Sequence, residues 1–97
     1  MFVVITTVEV EQGSIQELAS LFDSTNRELV AGHEDWLGAW FTAHHGRSEI
    51  TVIARWANAD SYERLRASDD FNEVMSQFAA KFVRPPSVSI NEILVEM

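Results

Sequence analysis

Four strand-like segments alternate with two amphipathic helical regions, and this order is the strongest constraint on the fold. Residues 2–10, 35–45, 48–56 and 88–95 are rich in β-branched and aromatic residues. One helical region follows the first strand and the other follows the third, so the order is β-α-β-β-α-β, the split βαβ plan of ferredoxin-like folds. We predict one α+β domain over residues 1–97, with a four-stranded antiparallel sheet and helices on one face.

The first helical region begins with a capping-box pattern. Ser14 precedes Glu17 by three residues, so we expect the serine hydroxyl to accept a hydrogen bond from a backbone N–H of the first turn. Gly32 is placed to end the helix in a left-handed conformation. The apolar stripe of this helix consists of Ile15, Leu18, Ala19, Phe22, Leu29 and Val30.

The second helical region divides into a short helix and a longer one. Asn58 or Asp60 is suited to cap the short helix, which is expected to run to Arg66. Ser68 is suited to cap the longer helix, which Pro85 prevents from continuing. The apolar stripe of the longer helix consists of Phe71, Val74, Met75, Phe78 and Phe82.

The predicted sheet has a second apolar face that the helices do not cover. In the second strand, Trp36 and Trp40 share one face and Leu37 and Phe41 share the other, so neither face is polar. An apolar sheet face of that size would be a sticky surface in an isolated chain. We therefore expect a two-fold homodimer in which a second copy packs sheet against sheet.

Charge and composition exclude several classes of function. The 97 residues include 7 Lys and Arg against 15 Asp and Glu, which gives a net charge of -8. That charge disfavours binding to nucleic acid or to an anionic membrane surface. The chain has no cysteine, no basic region typical of a signal peptide, and no segment of membrane-spanning length. We expect a soluble, cytoplasmic protein.

Residues 56–71 carry the most specific signal for function. Trp56 ends a strand, Tyr62 follows six residues later, and a Ser-Asp-x-Phe sequence ends the block at Phe71. This arrangement resembles the antibiotic biosynthesis monooxygenase (ABM) family of dimeric α+β barrels, and the likeness extends over nearly the whole chain. The resemblance implies a ligand cleft between sheet and helices, which many members use for cofactor-independent oxygenation of aromatic polyketides or quinols.

The resemblance makes Trp56 and Tyr62 the catalytic candidates, because the matching residues of polyketide-oxidising members lie at the substrate pocket. An indole N–H and a phenol are suitable polar groups near an ionised substrate that reacts with oxygen. Both residues could instead be amphipathic aromatics that pack the helix–sheet boundary. Some members carry an asparagine where this chain has Val52. The predicted substrate-binding residues are Phe71, Met75, Phe78 and His44, and neither a cofactor nor a metal is expected.

His44 is the histidine that we assign to substrate binding. It could reach the rim of the cleft and act as a base near neutral pH, although a solvated turn is the alternative. His44 and His45 are adjacent on a strand, so their side chains point to opposite faces and cannot readily bind one metal ion.

Other functions of the same family remain alternatives. Haem-degrading members carry an asparagine, a tryptophan and a histidine where this chain has Thr6, Leu65 and Met75, so haem degradation is disfavoured. The main alternative to an oxygenase is a non-catalytic protein that binds a small ligand or serves a stress response. A small-molecule isomerase is a third possibility.

Overall fold

A computed structural model of residues 1–97 contains one antiparallel sheet and three α-helices. The strands are β1 (Phe2–Glu9), β2 (Trp36–His44), β3 (Glu49–Trp56) and β4 (Ser87–Glu92), and the helices are α1 (Ile15–Val30), α2 (Ala59–Arg66) and α3 (Asp69–Ala79). The sheet order is β2-β3-β1-β4, and every neighbouring pair is antiparallel. These features confirm the predicted ferredoxin-like α+β fold. No helix has both the length and the apolar character needed to cross a membrane.

The core lies between the helices and one face of the sheet. Val4 and Val8 of β1 are buried and lie opposite Ala54 and Ile50 of β3. Because side chains alternate along a strand, these residues share the helix-facing side, as the sequence predicted for β1. Two clusters of buried residues form this core, one of Val4, Val30, Trp56, Tyr62 and Leu65, the other of Val8, Val10, Leu18, Ile50 and Phe78.

A β-bulge in β2 separates the two tryptophans of that strand. Trp36 and Gly38 pair with adjacent residues of β3, so Leu37 has no partner of its own. Gly38 has a φ of 139°, which a residue with a side chain rarely adopts. The extra residue reverses the alternation, and the prediction that Trp36 and Trp40 share a face is therefore wrong. We call the sheet face away from the helices the outer face; it carries Val3, Ile5, Thr7, Trp40, Thr42, Thr51, Ile53 and Arg55.

Two predictions fail at helix ends. The Ser14 hydroxyl donates to the Glu11 carbonyl oxygen at 2.5 Å, so it caps no backbone N–H of α1 and the expected capping box does not form. Helix α3 ends at Ala79, before the last predicted member of its stripe. Phe82 instead forms an isolated antiparallel bridge with Val10, because strand-like backbone pairing replaces the last helical turn.

The other predicted helix signals are confirmed. The Asn58 side chain accepts a hydrogen bond from the Ser61 backbone N–H at 2.9 Å and caps α2. The Ser68 hydroxyl accepts one from the Phe71 backbone N–H at 3.2 Å and caps α3. Gly32, just after α1, has a φ of 79° and so provides the left-handed turn. These caps fix where α2 and α3 begin.

Candidate functional site

A cavity of about 370 Å³ lies between the helix-facing side of the sheet and the helices. Of its 25 lining residues, 20 are hydrophobic, so it suits an apolar ligand. Its volume falls in the range of small-molecule sites, about 300–1,000 Å³. The polar side chains along its wall are few: Thr6, Thr25, Asn26 and Arg66, together with the amphipathic Trp56 and Tyr62.

Five of the six predicted site residues meet at this cavity. Trp56 reaches it from the end of β3, and Tyr62 reaches it from α2. Phe71, Met75 and Phe78 reach it from successive turns of α3. The strand and helix periodicities bring these residues together, because the helix-facing side of β3 and the apolar stripe of α3 bound the same space.

His44 does not reach the cavity. It is exposed at the end of β2, and its Nδ1 accepts a hydrogen bond from the Arg47 backbone N–H at 3.1 Å. Its position in the alternation of β2 is that of Trp40, so it lies on the side of the sheet away from the helices. In the folded chain His44 therefore stabilises the turn of the hairpin, and no histidine lines the cavity.

Trp56 lines the cavity and carries an unpaired, buried hydrogen-bond donor. The side chain is only 2% exposed, and its Nε1 is the one fully buried side-chain polar atom in the chain that has no hydrogen-bond partner. Leaving a buried donor unpaired costs about 1–3 kcal/mol. Because this nitrogen has almost no accessible surface, a ligand oxygen would accept from it, and remove that cost, only after the neighbouring side chains shift.

Tyr62 places a phenol beside Trp56. The two rings meet edge to face, with centroids 5.9 Å apart, and Tyr62 is buried. Burial raises the pKa of the Tyr62 hydroxyl above its ordinary value, and the positive charge of Arg66 opposes this shift only in part. The phenol is therefore protonated at neutral pH and acts as a hydrogen-bond donor.

A cluster of polar side chains positions the helix that carries Tyr62. The Asp35 carboxylate accepts hydrogen bonds from the Asn58 amide at 2.9 Å and from the Ser61 hydroxyl. The guanidinium of Arg64 donates to the Ser61 hydroxyl oxygen at 3.1 Å. Because Ser61 immediately precedes Tyr62, the cluster ties the first turn of α2 to the loop before β2.

Acid should weaken this polar cluster. The hydrogen bonds from Ser61 and Asn58 lower the pKa of Asp35 below its ordinary range. A carboxyl group whose pKa is lower in the folded than in the unfolded state stabilises the fold when it is ionised. This contribution is complete above the pKa of the unfolded state, about 3.9, and is lost as the pH falls through the pKa of the folded state. The wild type should therefore be more stable than Asp35→Asn at neutral pH, and the difference should shrink as the pH falls below 3.9. Urea denaturation of both proteins across this range measures it; a constant difference would contradict the role given to the Asp35 charge.

The positions compared with haem-degrading proteins also lie at the cavity. Thr6, Leu65 and Met75 all line it, so the comparison concerns residues of this cavity. These side chains provide a hydroxyl, an alkyl group and a thioether in place of an amide, an indole and an imidazole. No group of three or more His, Asp or Glu side chains in the chain is arranged to hold a metal ion.

Trp36 and Arg66 are cavity residues that the sequence did not assign to the site. Trp36 lines the cavity because the bulge turns it toward the helices. Arg66, which the sequence predicts only as the end of a helix, also lines the cavity. Its position four residues after Tyr62 was the available signal, since residues four apart on a helix are neighbours.

Solved structures of low sequence identity share this fold. SnoaB from Streptomyces nogalater, described as a cofactor-independent oxygenase, is 15% identical with a TM-score of 0.81, and the match covers 99% of this chain and 95% of that one. Rv0793 from Mycobacterium tuberculosis is 17% identical with a TM-score of 0.79, over 98% and 96% of the two chains. A conserved protein from Methanosarcina mazei Go1 is 18% identical with a TM-score of 0.78, over 92% and 88%. At these identities the likeness establishes the fold alone.

The family is established by the sequence itself. Comparison with curated proteins gave no match. Residues 1–77, however, match the family model described as antibiotic biosynthesis monooxygenase. This range includes β1, α1, β2, β3, α2 and most of α3. The chain therefore belongs to the antibiotic biosynthesis monooxygenase family.

Proposed function

We propose that this protein is a cofactor-independent monooxygenase that acts on a small aromatic, quinol-like or polyketide-like substrate. The observation that carries the proposal is the apolar cavity itself, whose wall includes the phenol-bearing Tyr62 and Trp56, with its buried, unpaired Nε1. Family membership and a fold shared with an oxygenase described as cofactor-independent support the same class of reaction.

The proposed reaction converts an activated CH₂ group of the substrate into a carbonyl. The substrate loses a proton to water, since no side-chain base lines the cavity. O₂ then oxidises the carbanion as a C–O bond forms, and protonation of the resulting peroxide anion gives a hydroperoxide. Loss of the second proton from the same carbon breaks the O–O bond, leaves the C=O group and releases water. One oxygen atom enters the product and the other becomes water, so the protein needs only to bind, desolvate and polarise the substrate.

Trp56 and Tyr62 supply the polar contacts in this scheme. Their N–H and O–H groups donate to the substrate oxygen on which negative charge accumulates when the proton leaves. Such contacts are strong in a site that excludes water. The apolar side chains of Phe71, Met75 and Phe78 hold the ring system and exclude water from it.

Oxygen uptake tests the proposal. Purified protein supplied with a panel of quinols and anthrones should consume O₂ faster than the same solutions without protein. Tyr62→Phe removes only the hydroxyl, and we expect it to lower kcat/KM by about 10²-fold because one charge-stabilising donor is lost. Ser24→Ala, which removes an exposed hydroxyl from α1, is the matched control and should leave the rate unchanged.

Two results would count against this proposal. If no substrate in the panel causes oxygen uptake, the oxygenase hypothesis is rejected. If Tyr62→Phe consumes oxygen at the wild-type rate, the proposed role of the phenol as a hydrogen-bond donor is rejected. Thermal unfolding of each variant is needed alongside, so that a lower rate is not a consequence of unfolding.

A non-catalytic ligand-binding or stress-response protein is the second candidate, and one observation favours it. The only ionisable side chains along the cavity are Tyr62 and Arg66, and neither is a base at neutral pH. A substrate would therefore have to ionise without a side-chain base in the cavity. Thermal stabilisation by aromatic ligands, with no oxygen uptake, would support this candidate.

We further propose that two copies of the chain associate through the outer face. Trp40 is 57% exposed there, and its backbone partner Ile53 lies between it and Ile5 of β1. These three side chains form an apolar row across neighbouring strands that no helix covers. A second copy with the same row would bury it by two-fold symmetry.

A further inference from the structure

Arg66 is the one charged residue that lines the cavity, and the chain leaves its guanidinium without a polar partner. Five of the seven Lys and Arg side chains form ion pairs. Arg64 donates to Ser61 instead. Arg66 alone makes neither kind of contact, although the chain carries 15 acidic residues. Its charge is therefore available to a ligand.

Helix α2 places this charge next to the candidate catalytic residues. Arg66 and Tyr62 are four residues apart, so their side chains lie on one face of the helix. Tyr62 is buried whereas Arg66 is exposed, so the phenol lies inside the cavity and the guanidinium lies at its mouth. A ligand that enters past Arg66 meets an apolar interior with Trp56 and Tyr62 as its polar groups.

The position of Arg66 at the end of α2 also suits the helix dipole. A basic side chain in the last turn of a helix stabilises the helix dipole, and α2 has two of them, Arg64 and Arg66. Only Arg66 lines the cavity. The dipole therefore accounts for a basic residue at this end but not for an unpaired one at the mouth of an apolar cavity.

We infer that the cavity selects aromatic acids, with the ring system in the apolar interior and a carboxylate bound to Arg66 at the mouth. The planar guanidinium presents parallel N–H donors that match the two oxygens of a carboxylate. This inference rests on the proposed use of the cavity for a small aromatic substrate, and it specifies the charge of that substrate and the end by which it is held.

Calorimetric titration with a matched pair of probes tests the inference. Anthracene carboxylate and anthracene carboxamide with the same substitution position have nearly the same shape but differ in charge. We expect the wild type to bind the carboxylate at least about tenfold more tightly than the amide, because the charged hydrogen bond is the stronger one. Arg66→Met should remove this preference by weakening the carboxylate alone, whereas Arg66→Lys should retain part of it.

Arg47→Met is the control, because it removes the same charge from an exposed turn that does not line the cavity. It should keep the preference for the carboxylate. Equal binding of the two probes by the wild type, or an unchanged preference in Arg66→Met, would overturn the inference and leave the proposed function standing. An equal loss in Arg47→Met would also overturn it. If neither probe binds, both the inference and the proposed use of the cavity fail.

Discussion

Replacing Trp56 with alanine is expected to lower the free energy of unfolding by about 3–5 kcal/mol. Trp56 is the largest of the fully buried side chains, and it packs in one core cluster with Val4, Tyr62 and Leu65. Its removal would leave a void next to an existing cavity, where few atoms can move in to fill the space. Since domains of this size are stable by only about 5–15 kcal/mol, urea denaturation should show a large shift of the midpoint.

Trp56→Phe separates the packing role of this residue from its proposed chemical role. Phenylalanine keeps most of the apolar ring, and the lost N–H has no partner within the chain, so no internal hydrogen bond is broken. We expect a stability close to that of the wild type and a lower rate of oxygen uptake. A full rate in Trp56→Phe would show that the indole N–H is not needed, and a stability as low as that of Trp56→Ala would show that ring size dominates.

The arrangement of the cavity could be predicted from the sequence where regular periodicity continues without interruption. Trp56 is the last residue of β3, a strand without a bulge. Phe71, Met75 and Phe78 lie on α3, whose N-cap residue Ser68 can be recognised in the sequence. In such segments, spacing alone gives the side of the element on which each side chain lies. Tyr62 followed from the family resemblance, and its place on α2 agrees with that expectation.

The errors arose where tertiary structure overrides spacing. The extra residue in β2, Leu37, directs Trp36 toward the helices and Trp40 to the outer face. A prediction that assumes strict two-residue alternation assigns the wrong face to residues beyond a bulge. Phe82 has helical spacing from Phe78, but its backbone pairs with β1 instead. The unpaired state of the Trp56 N–H depends on which acceptors surround it, and that information is present only in the folded chain.

A charge at Trp40 is expected to dissociate the proposed dimer. In Trp40→Glu a carboxylate would lie at the β2 end of the apolar row formed with Ile53 and Ile5, and burying it without a partner costs several kcal/mol. The dissociation constant should therefore rise by more than about 10²-fold. Light scattering at micromolar concentration should give twice the monomer mass of 11.0 kDa for the wild type and a single monomer mass for the variant.

Val83→Glu is the matched control for this experiment. Val83 is 49% exposed, close to the 57% of Trp40, but it lies in the segment between α3 and β4. The same carboxylate there should leave the dimer intact, because the outer face is unchanged. A wild type that is monomeric would reject the dimer, whereas a dimer that survives both substitutions would place its interface elsewhere. Dissociation by Trp40→Glu alone would assign the interface to the outer face, since the two variants have the same net charge and differ only in where that charge lies.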